Sequence, residues 1–351
     1  MSAIFSSTTR SPLQTSRLSA EGGFTVMLLV AVATFACWLI ATRSLDTGTD
    51  TQVYATFFSN LANRPIETRL EPGFVYISMF VHGLGFGIPG YQAVLFGLLL
   101  VTVLISTRAF YRYLGATIGY ITFLSAAGML LLLSPVFVNS SINAVRQGLA
   151  ALLVFTALMA FEQRQWRRFC AYGLIAILLH FSSALYIAFA PVLFLGYRRL
   201  RYVAVAAFII YASGASMDLV RSLSPALYSI AMEHAANLNY RSGVRLDFAL
   251  FSMAWYALPF IAAPLVQEPY RERLKQATSL YLVMLLPFFM IGWGFFSNRY
   301  LLPAWQAASL IVGAMLSLSR FRLLRSPALI DLGLLFAVGI FYYYVQTGIV
   351  I

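Results

Sequence analysis

Apolar runs separated by short polar breaks recur along the whole chain. They fall at about 24–42, 73–89, 91–107, 119–138, 147–161, 169–182, 183–197, 202–214, 248–266, 277–296, 300–319 and 327–347. Most are long enough to cross a ~30 Å hydrocarbon core as helices. The pattern predicts an all-α polytopic membrane bundle of about 11 spans plus one re-entrant or interfacial segment. Several runs, 169–182 and 183–197 among them, fall short of the roughly 20 residues that a full crossing takes. Short paired helices are tolerated where they line a cavity rather than lipid. The turn at His180–Ser183 is therefore expected on the floor of an external cavity.

The first 20 residues are Ser/Thr-rich with Arg10 and Arg17, and read as a loose tail. Residues 24–42 are too long for a signal-peptide core and lack a clear cleavage site, so they read as a retained first span. This divides the chain into a cytoplasmic tail at 1–23 and a single membrane domain at 24–351, with external loops at 43–72 and 215–247.

The basic breaks are regular. They fall at Arg108/Arg112, Arg164/Arg167/Arg168, Arg198/Arg199/Arg201, Arg271/Arg273/Lys275 and Arg320/Arg322/Arg325. Cytoplasmic loops of membrane proteins carry the excess of Lys and Arg. Each cluster is separated from the next by two apolar runs, which puts all five on the cytoplasmic side. Residues 139–147, the turn at 180–183, the 215–247 loop and "SNRY" at 297–300 then face the exterior. The segment "GFVYISMFVHGLGFGIPG" is crowded with glycine in its second half and suits a re-entrant or interfacial piece. The alternative is an external N-terminus with a full crossing at 73–89.

Composition agrees with the membrane reading. The chain of 351 residues is 60% hydrophobic and 10% charged, where a soluble protein carries roughly a quarter charged residues. The net charge of +12 comes from 23 Arg and the single Lys275 against 12 acidic residues. No basic run is set among aromatics as nucleic-acid binding requires, so nucleic acid is excluded as a partner. Cys37 and Cys170 form no disulfide framework or metal spacing. His82, His180 and His234 stand apart from one another. No metal and no cofactor is expected, although Asp46 and Asp50 leave room for Mg²⁺.

Polar residues cluster on the external side. In 43–72, Asp46, Asp50 and Tyr54 recur every four residues, while Val53, Phe57, Phe58 and Leu61 make an apolar stripe on 51–62. That pattern suits an interfacial amphipathic helix. Thr49 or Asp50 capping this helix, and Glu67/Arg69/Glu71 as a surface ion-pair set, are the plain alternatives. Asn139, Asn143, Arg146 and Gln147 fall at i, i+4, i+7 and i+8 and form one polar stripe on a helix. Arg146 alone reads as a snorkelling side chain. With two amides on the same face it reads as a site, since ionisable groups at membrane depth are functional by default. His180 has Ser183 at i+3, and a lone histidine of this kind is more often a packing residue. Arg299 follows Asn298 at an external helix start. Arg146 and Arg299 suit one shared anion, because guanidinium forks match phosphate oxygens. Asp218, Arg221, Glu233, His234, Arg241, Arg245 and Asp247 sit in 215–247 at no known catalytic spacing, as a substrate cover or a solvated loop.

The segments "GTDTQVY", "EPGF", "NAVRQGLA" and "HFSSALY", in that order, resemble the EpsG-like family of exopolysaccharide and O-antigen polymerases. The resemblance covers roughly residues 20–200, with "NRYLLP" as a further element. It implies a GT-C-like helical bundle in the bacterial inner membrane with its active site facing the periplasm. It implies a Wzy-type glycosyltransferase that joins undecaprenyl-pyrophosphate-linked oligosaccharide units, donor to acceptor, at the external face. Chain-length regulators and flippases are the implied protein partners, and membrane lipid the surroundings.

Asp50, Tyr54, Glu71, Arg146, Gln147 and His180 occupy the matching motif positions. The chemistry then assigns Asp50, Glu71 or His180 as the base, with a carboxylate preferred. Arg146, Gln147, Asn143, Arg299 and Tyr54 become the substrate-binding set. A lipid-linked oligosaccharide flippase is the competing reading. It would more often show inverted repeats with broken helices at corresponding positions, and no such pairing is found. A membrane acyltransferase is a third reading, and His180 lies on the wrong side for it.

Overall fold

The computed structural model describes residues 12–62, 68–232, 242–294 and 296–348. The chain opens with α1 (Pro12–Thr42), which starts inside the stretch expected as a tail. The following polar segment forms α2 (Thr51–Ser59), ended by a 3-10 turn at Asn60–Ala62, and then α3 (Pro72–Gly83). Next come α4 (Ile88–Leu114), α5 (Tyr120–Leu133), α6 (Pro135–Ile142) and α7 (Val145–Glu162). The middle of the chain holds α8 (Trp166–Leu179), α9 (Ser183–Ala188), a 3-10 segment at Ala190–Leu195 and α10 (Gly196–Ala212). It continues through α11 (Ala215–Leu223), α12 (Pro225–Met232) and α13 (Leu246–Ile261). The last three helices are α14 (Glu268–Ile291), α15 (Ser297–Ser317) and α16 (Pro327–Thr347). Among the described residues all regular structure is helical apart from one isolated bridge between Val266 and Ser319.

Six helices among the described residues are long and apolar enough to cross a membrane: Gly22–Thr42 of α1, α4, α7, α14, α15 and α16. Counting two sharply bent runs, α5–α6 and Ser183–Leu223, as one span each raises the number to eight. This is below the about 11 crossings expected, because several apolar runs fold as short or broken helices rather than full ~30 Å spans. The 73–89 run is one of them. Its helix α3 has 12 residues and rises only about 18 Å. Its neighbour α4 begins at Ile88, three residues before the expected start.

The basic clusters meet at one end of the bundle. Tyr113 donates to Glu162 Oε2 at 2.7 Å, and Thr117 and Tyr270 share a 2.7 Å bond. Tyr197 donates to Glu272 at 2.9 Å, and the Arg320 amide donates to the Leu265 carbonyl at 2.8 Å. These bonds tie the loops after α4, α7, the 190–195 segment and α15 to the start of α14. One of the five clusters lies within or beside each of these joints. The chain path between them follows directly. Tyr186 donates to the Tyr300 carbonyl at the far end, Tyr197 sits at the basic end, and Tyr211 donates to the Gly292 carbonyl back at the far end. Residues 183–195 therefore descend as a helix tightened into 3-10 geometry, and α10 returns, so the Ser183–Leu223 run, one span by length and composition, folds back on itself.

The interior is built from α7 and α14. Their apolar windows are 89% and 83% buried, against 22% for α1, so α7 and α14 are enclosed by protein while α1 faces outward. One expected loop proves structured. Much of 215–247 is α11 and α12, with Arg221 over the Tyr228 ring and Arg245 paired with Asp247. Glu233, His234 and Arg241 fall outside the described residues, as does Glu67.

Candidate active site

Five breaks in helical structure converge at the end opposite the basic clusters. They are the α1–α2 loop, the start of α3, the α6–α7 break, the α8–α9 turn and the start of α15. Glu71 stands at the head of α3. It caps no backbone amide with its side chain, which leaves the carboxylate to turn inward. There it is buried between a guanidinium and an imidazole. Arg146 Nη1 donates to Oε2, and His180 Nδ1 lies 2.7 Å from Oε1, which also accepts the Phe181 amide at 3.3 Å. The expected surface set of Glu67, Arg69 and Glu71 is thus replaced for Glu71 by an interior one.

Arg146 is also held through Nε to the Tyr54 hydroxyl at 3.4 Å, with its guanidinium 5.8 Å from the Tyr54 ring centre. Tyr54 is buried on α2 beside Thr51, Ala55 and Phe58. The buried face of α2 therefore differs from the expected stripe. Val53 is exposed because the helix turns Tyr54 toward the arginine.

The remaining residues join the same network. Asp50 Oδ2 stands 3.6 Å from Arg299 Nη2, and Asp50 makes no side-chain cap for α2. Asn143 Oδ1 accepts both the Thr49 hydroxyl and the Asp50 amide at 2.8 Å. Gln147 Nε2 donates to the Arg299 carbonyl. Asp50, Tyr54, Glu71, Asn143, Arg146, Gln147, His180 and Arg299 are thereby linked from α2 to α15. The two arginines do not converge on one anion here. Arg146 pairs with Glu71 and Arg299 with Asp50.

The single stripe expected over 139–147 is two pieces. α6 ends at Ile142 and α7 begins at Val145, with Asn143 and Ala144 in non-helical conformations between them. The Asn139 carbonyl takes the amides of both Asn143 and Ala144, closing the break. Arg146 and Gln147 consequently project from the first turn of α7. Gly148 lets that turn pass α6 closely, since a Cβ there would lie 2.6 Å from the Ser140 Cβ and 2.9 Å from its carbonyl oxygen.

The "EPGF" motif has a role at each position. Pro72 opens α3 at a site where no amide donor is needed. Gly73 packs on the end of α8, where a Cβ would come within 2.8 Å of the Leu178 carbonyl oxygen. Phe74 is fully buried and its ring lies 5.3 Å from that of Tyr54. Gly73→Ala is expected to push α3 off α8, two residues from His180. Activity should be lost while the protein still accumulates in the membrane, as read by activity assays beside immunoblots.

Burial pushes the Glu71 carboxyl up, but His180 and Arg146 outweigh it and hold it at about 2, below its ordinary 4.5. A depressed carboxylate adds stability that is complete above its unfolded pKa and is lost as pH falls through the folded one. Glu71's contribution should be constant above about pH 5 and fade between about pH 4.5 and 2. Thermal melts of detergent-solubilised protein should show that acid-side loss, and Glu71→Gln should remove it. An ionised carboxylate only accepts hydrogen bonds. The proton shared with Glu71 therefore sits on His180 Nδ1, and in the neutral ring Nε2 is left as an acceptor.

Among the described residues, no group of three or more His, Cys, Asp or Glu side chains is placed to hold a metal ion. Asp46 bonds to Ser44 rather than joining Asp50. Two residues of this end carried no signal read from sequence. Arg43 donates to the carbonyls of Ile40 and Ile142, and Thr51 donates to Ile142 at 2.6 Å, pinning the α1–α2 loop onto the α6 terminus. An arginine directly after the 24–42 span was the available sign.

The sequence profile of the EpsG family matches residues 26–349. The chain belongs to the EpsG family. EpsG is an exopolysaccharide polymerase-type family, and its profile runs from α1 through α16. It therefore includes Arg299 and the whole α13–α16 region, for which sequence motifs beyond "NRYLLP" were lacking. Searches of curated proteins and of solved structures each return no match.

Proposed function

We propose that the chain is a Wzy-type polymerase, a GT-C-like membrane glycosyltransferase that joins undecaprenyl-pyrophosphate-linked oligosaccharide units. The site faces the periplasm of the inner membrane, because it lies opposite the basic clusters that mark the cytoplasmic side. The observation carrying this reading is Glu71 held between Arg146 and His180 beside the Asp50–Arg299 pair.

Glu71 is a poor base at about 2, so we assign it the orienting part and give the base to His180. An imidazole with Nδ1 anchored on a carboxylate and Nε2 turned to substrate is the arrangement used to activate hydroxyls. The acceptor hydroxyl passes its proton to His180 Nε2. Its oxygen then bonds to the anomeric carbon of the donor sugar. The bond from that carbon to the pyrophosphate oxygen breaks, and the carrier pyrophosphate leaves with the electron pair. Arg299 and Arg146 take up the charge that develops on it. Attack opposite the leaving group inverts the anomeric centre.

Asp50 holds Arg299 until substrate arrives. At 3.6 Å this pair is loose, and a pyrophosphate can displace the carboxylate. Gln147 and Asn143 fix the backbones of Arg299 and Asp50.

Deletion of the gene tests the reading. Loss of long polymer with single repeat units still exported is expected. Accumulation of lipid-linked units on the cytoplasmic leaflet would point instead to a flippase.

A further inference from the structure

A lateral groove opens beside Arg299. It is a largely apolar cavity of about 550 Å³ walled by α5–α6, α13 and α15, with Asp247, the partner of Arg245, also in its lining. The α5–α6 run bends by 78° at Ser134–Pro135, which swings α6 away and opens one wall. Phe248, Phe251 and Trp255 line the α13 side, at helical spacing on one face. Trp305 closes the inner side, 5.5 Å and 5.4 Å from the rings of Phe248 and Phe251 and hydrogen-bonded to Ser252.

The groove continues into a small polar crevice formed by Asn139, Asn298, Arg299 and Leu302. Val136 and Trp305 belong to both. On α15 the shared path reads Arg299, Leu302, Trp305, Ser309, Val312, a single stripe along the helix. Thirteen residues of helix span about 20 Å, or roughly two-thirds of the hydrocarbon core. A cationic head site thus sits at one end of a long, largely apolar groove.

We propose that this groove seats the polyprenyl chain of the donor carrier, with its pyrophosphate at Arg299 and its tail running down α15 between α13 and α5. The proposal rests on the polymerase reading and adds to it which carrier is held and where. Charge complementarity and continuity select the occupant. A neutral lipid would leave the arginine end unused, and a free oligosaccharide would leave the aromatic wall unused. The donor rather than the acceptor belongs here, because only the donor's pyrophosphate must reach the arginines for bond cleavage. A second apolar cavity of about 300 Å³, between α1, α4 and α5, is lined almost wholly by aliphatic residues such as Val30, Leu100 and Leu104 and carries no charged residue. It provides an internal control.

The test uses the full-length protein in nanodiscs and a polyprenyl pyrophosphate bearing a photoreactive diazirine on its terminal isoprene. Crosslinks mapped by mass spectrometry are expected on α13 and on the Trp305–Val312 part of α15. Unlabelled undecaprenyl pyrophosphate at about ten times its Kd should cut that labelling to about a tenth, while phosphatidylglycerol at the same concentration should not. Ala308→Trp and, separately, Val312→Trp, which fill the groove, should abolish the labelling. Leu100→Trp in the control cavity should leave it intact. Labels on α1 and α4, labels spread evenly over the lipid-facing surface, or equal displacement by phosphatidylglycerol would each overturn the proposal. A parallel polymerisation assay separates the two readings. Groove labelling without polymer from the wild type defeats the polymerase assignment alone, and polymer with labels elsewhere defeats the groove alone.

Discussion

Glu71→Gln is expected to slow polymer formation about 10²–10⁴-fold and to destabilise the protein by about 3 kcal/mol, the lower end of the range for breaking a buried pair. Glutamine keeps the shape of the side chain, so the loss measures charge. Without it the Arg146 guanidinium has no counter-charge, and it retains only partial access to water, its side chain being 21% exposed. His180 loses the acceptor that fixes its tautomer. If the two act as one unit, His180→Ala and the double substitution should each cost the same about 10²–10⁴-fold in rate as Glu71→Gln. Additive losses would mean that they act separately. The rate should be measured on purified, folded protein, since the stability change alone lowers yield.

Arg146→Lys should cost about 10²–10³-fold in rate, the usual effect of removing one donor aimed at developing charge. A lysine keeps the charge but not the fork. Arg146 uses that fork to reach the Tyr54 hydroxyl through Nε and Glu71 through Nη1 at once. A single ammonium cannot span both and still face the substrate. Melting temperature should fall much less than with Glu71→Gln, because the charge pair with Glu71 can be kept. Unchanged polymer length and yield from Arg146→Lys would remove this arginine from the mechanism.

The grouping of the candidate residues was more legible in the sequence than the helix breaks that bring them together. Each motif couples a chemical residue to small or turn-forming ones: Glu71 with Pro72 and Gly73, Arg146 and Gln147 with Gly148, His180 with the turn before Ser183. The small residues are needed because each functional side chain sits where two helix ends almost touch. That need leaves a mark in the text of the chain. The helix breaks themselves left a weaker one. Residues 139–147 keep an unbroken helical spacing of polar groups, and no glycine or proline marks the turn at Asn143–Ala144. Pro135 did mark the 78° bend at the start of α6, within an apolar run that read as one span. The roles within the cluster were hidden for another reason. Spacing suggested one side of the membrane for Glu71 and His180, but only the fold shows the carboxylate held by Arg146 and by the imidazole Nδ1. The inward turn of Tyr54 was equally out of reach, since it answers to an arginine 92 residues away.

The central claim is that this cluster transfers sugar, with His180 taking the proton of the acceptor hydroxyl. It is tested most directly by the products of purified protein in nanodiscs supplied with undecaprenyl-pyrophosphate-linked repeat units. The wild type should build a ladder of polymer, and folded His180→Ala should leave the units unjoined. Wild-type ladders from His180→Ala, or no joining by the wild type, would contradict the account.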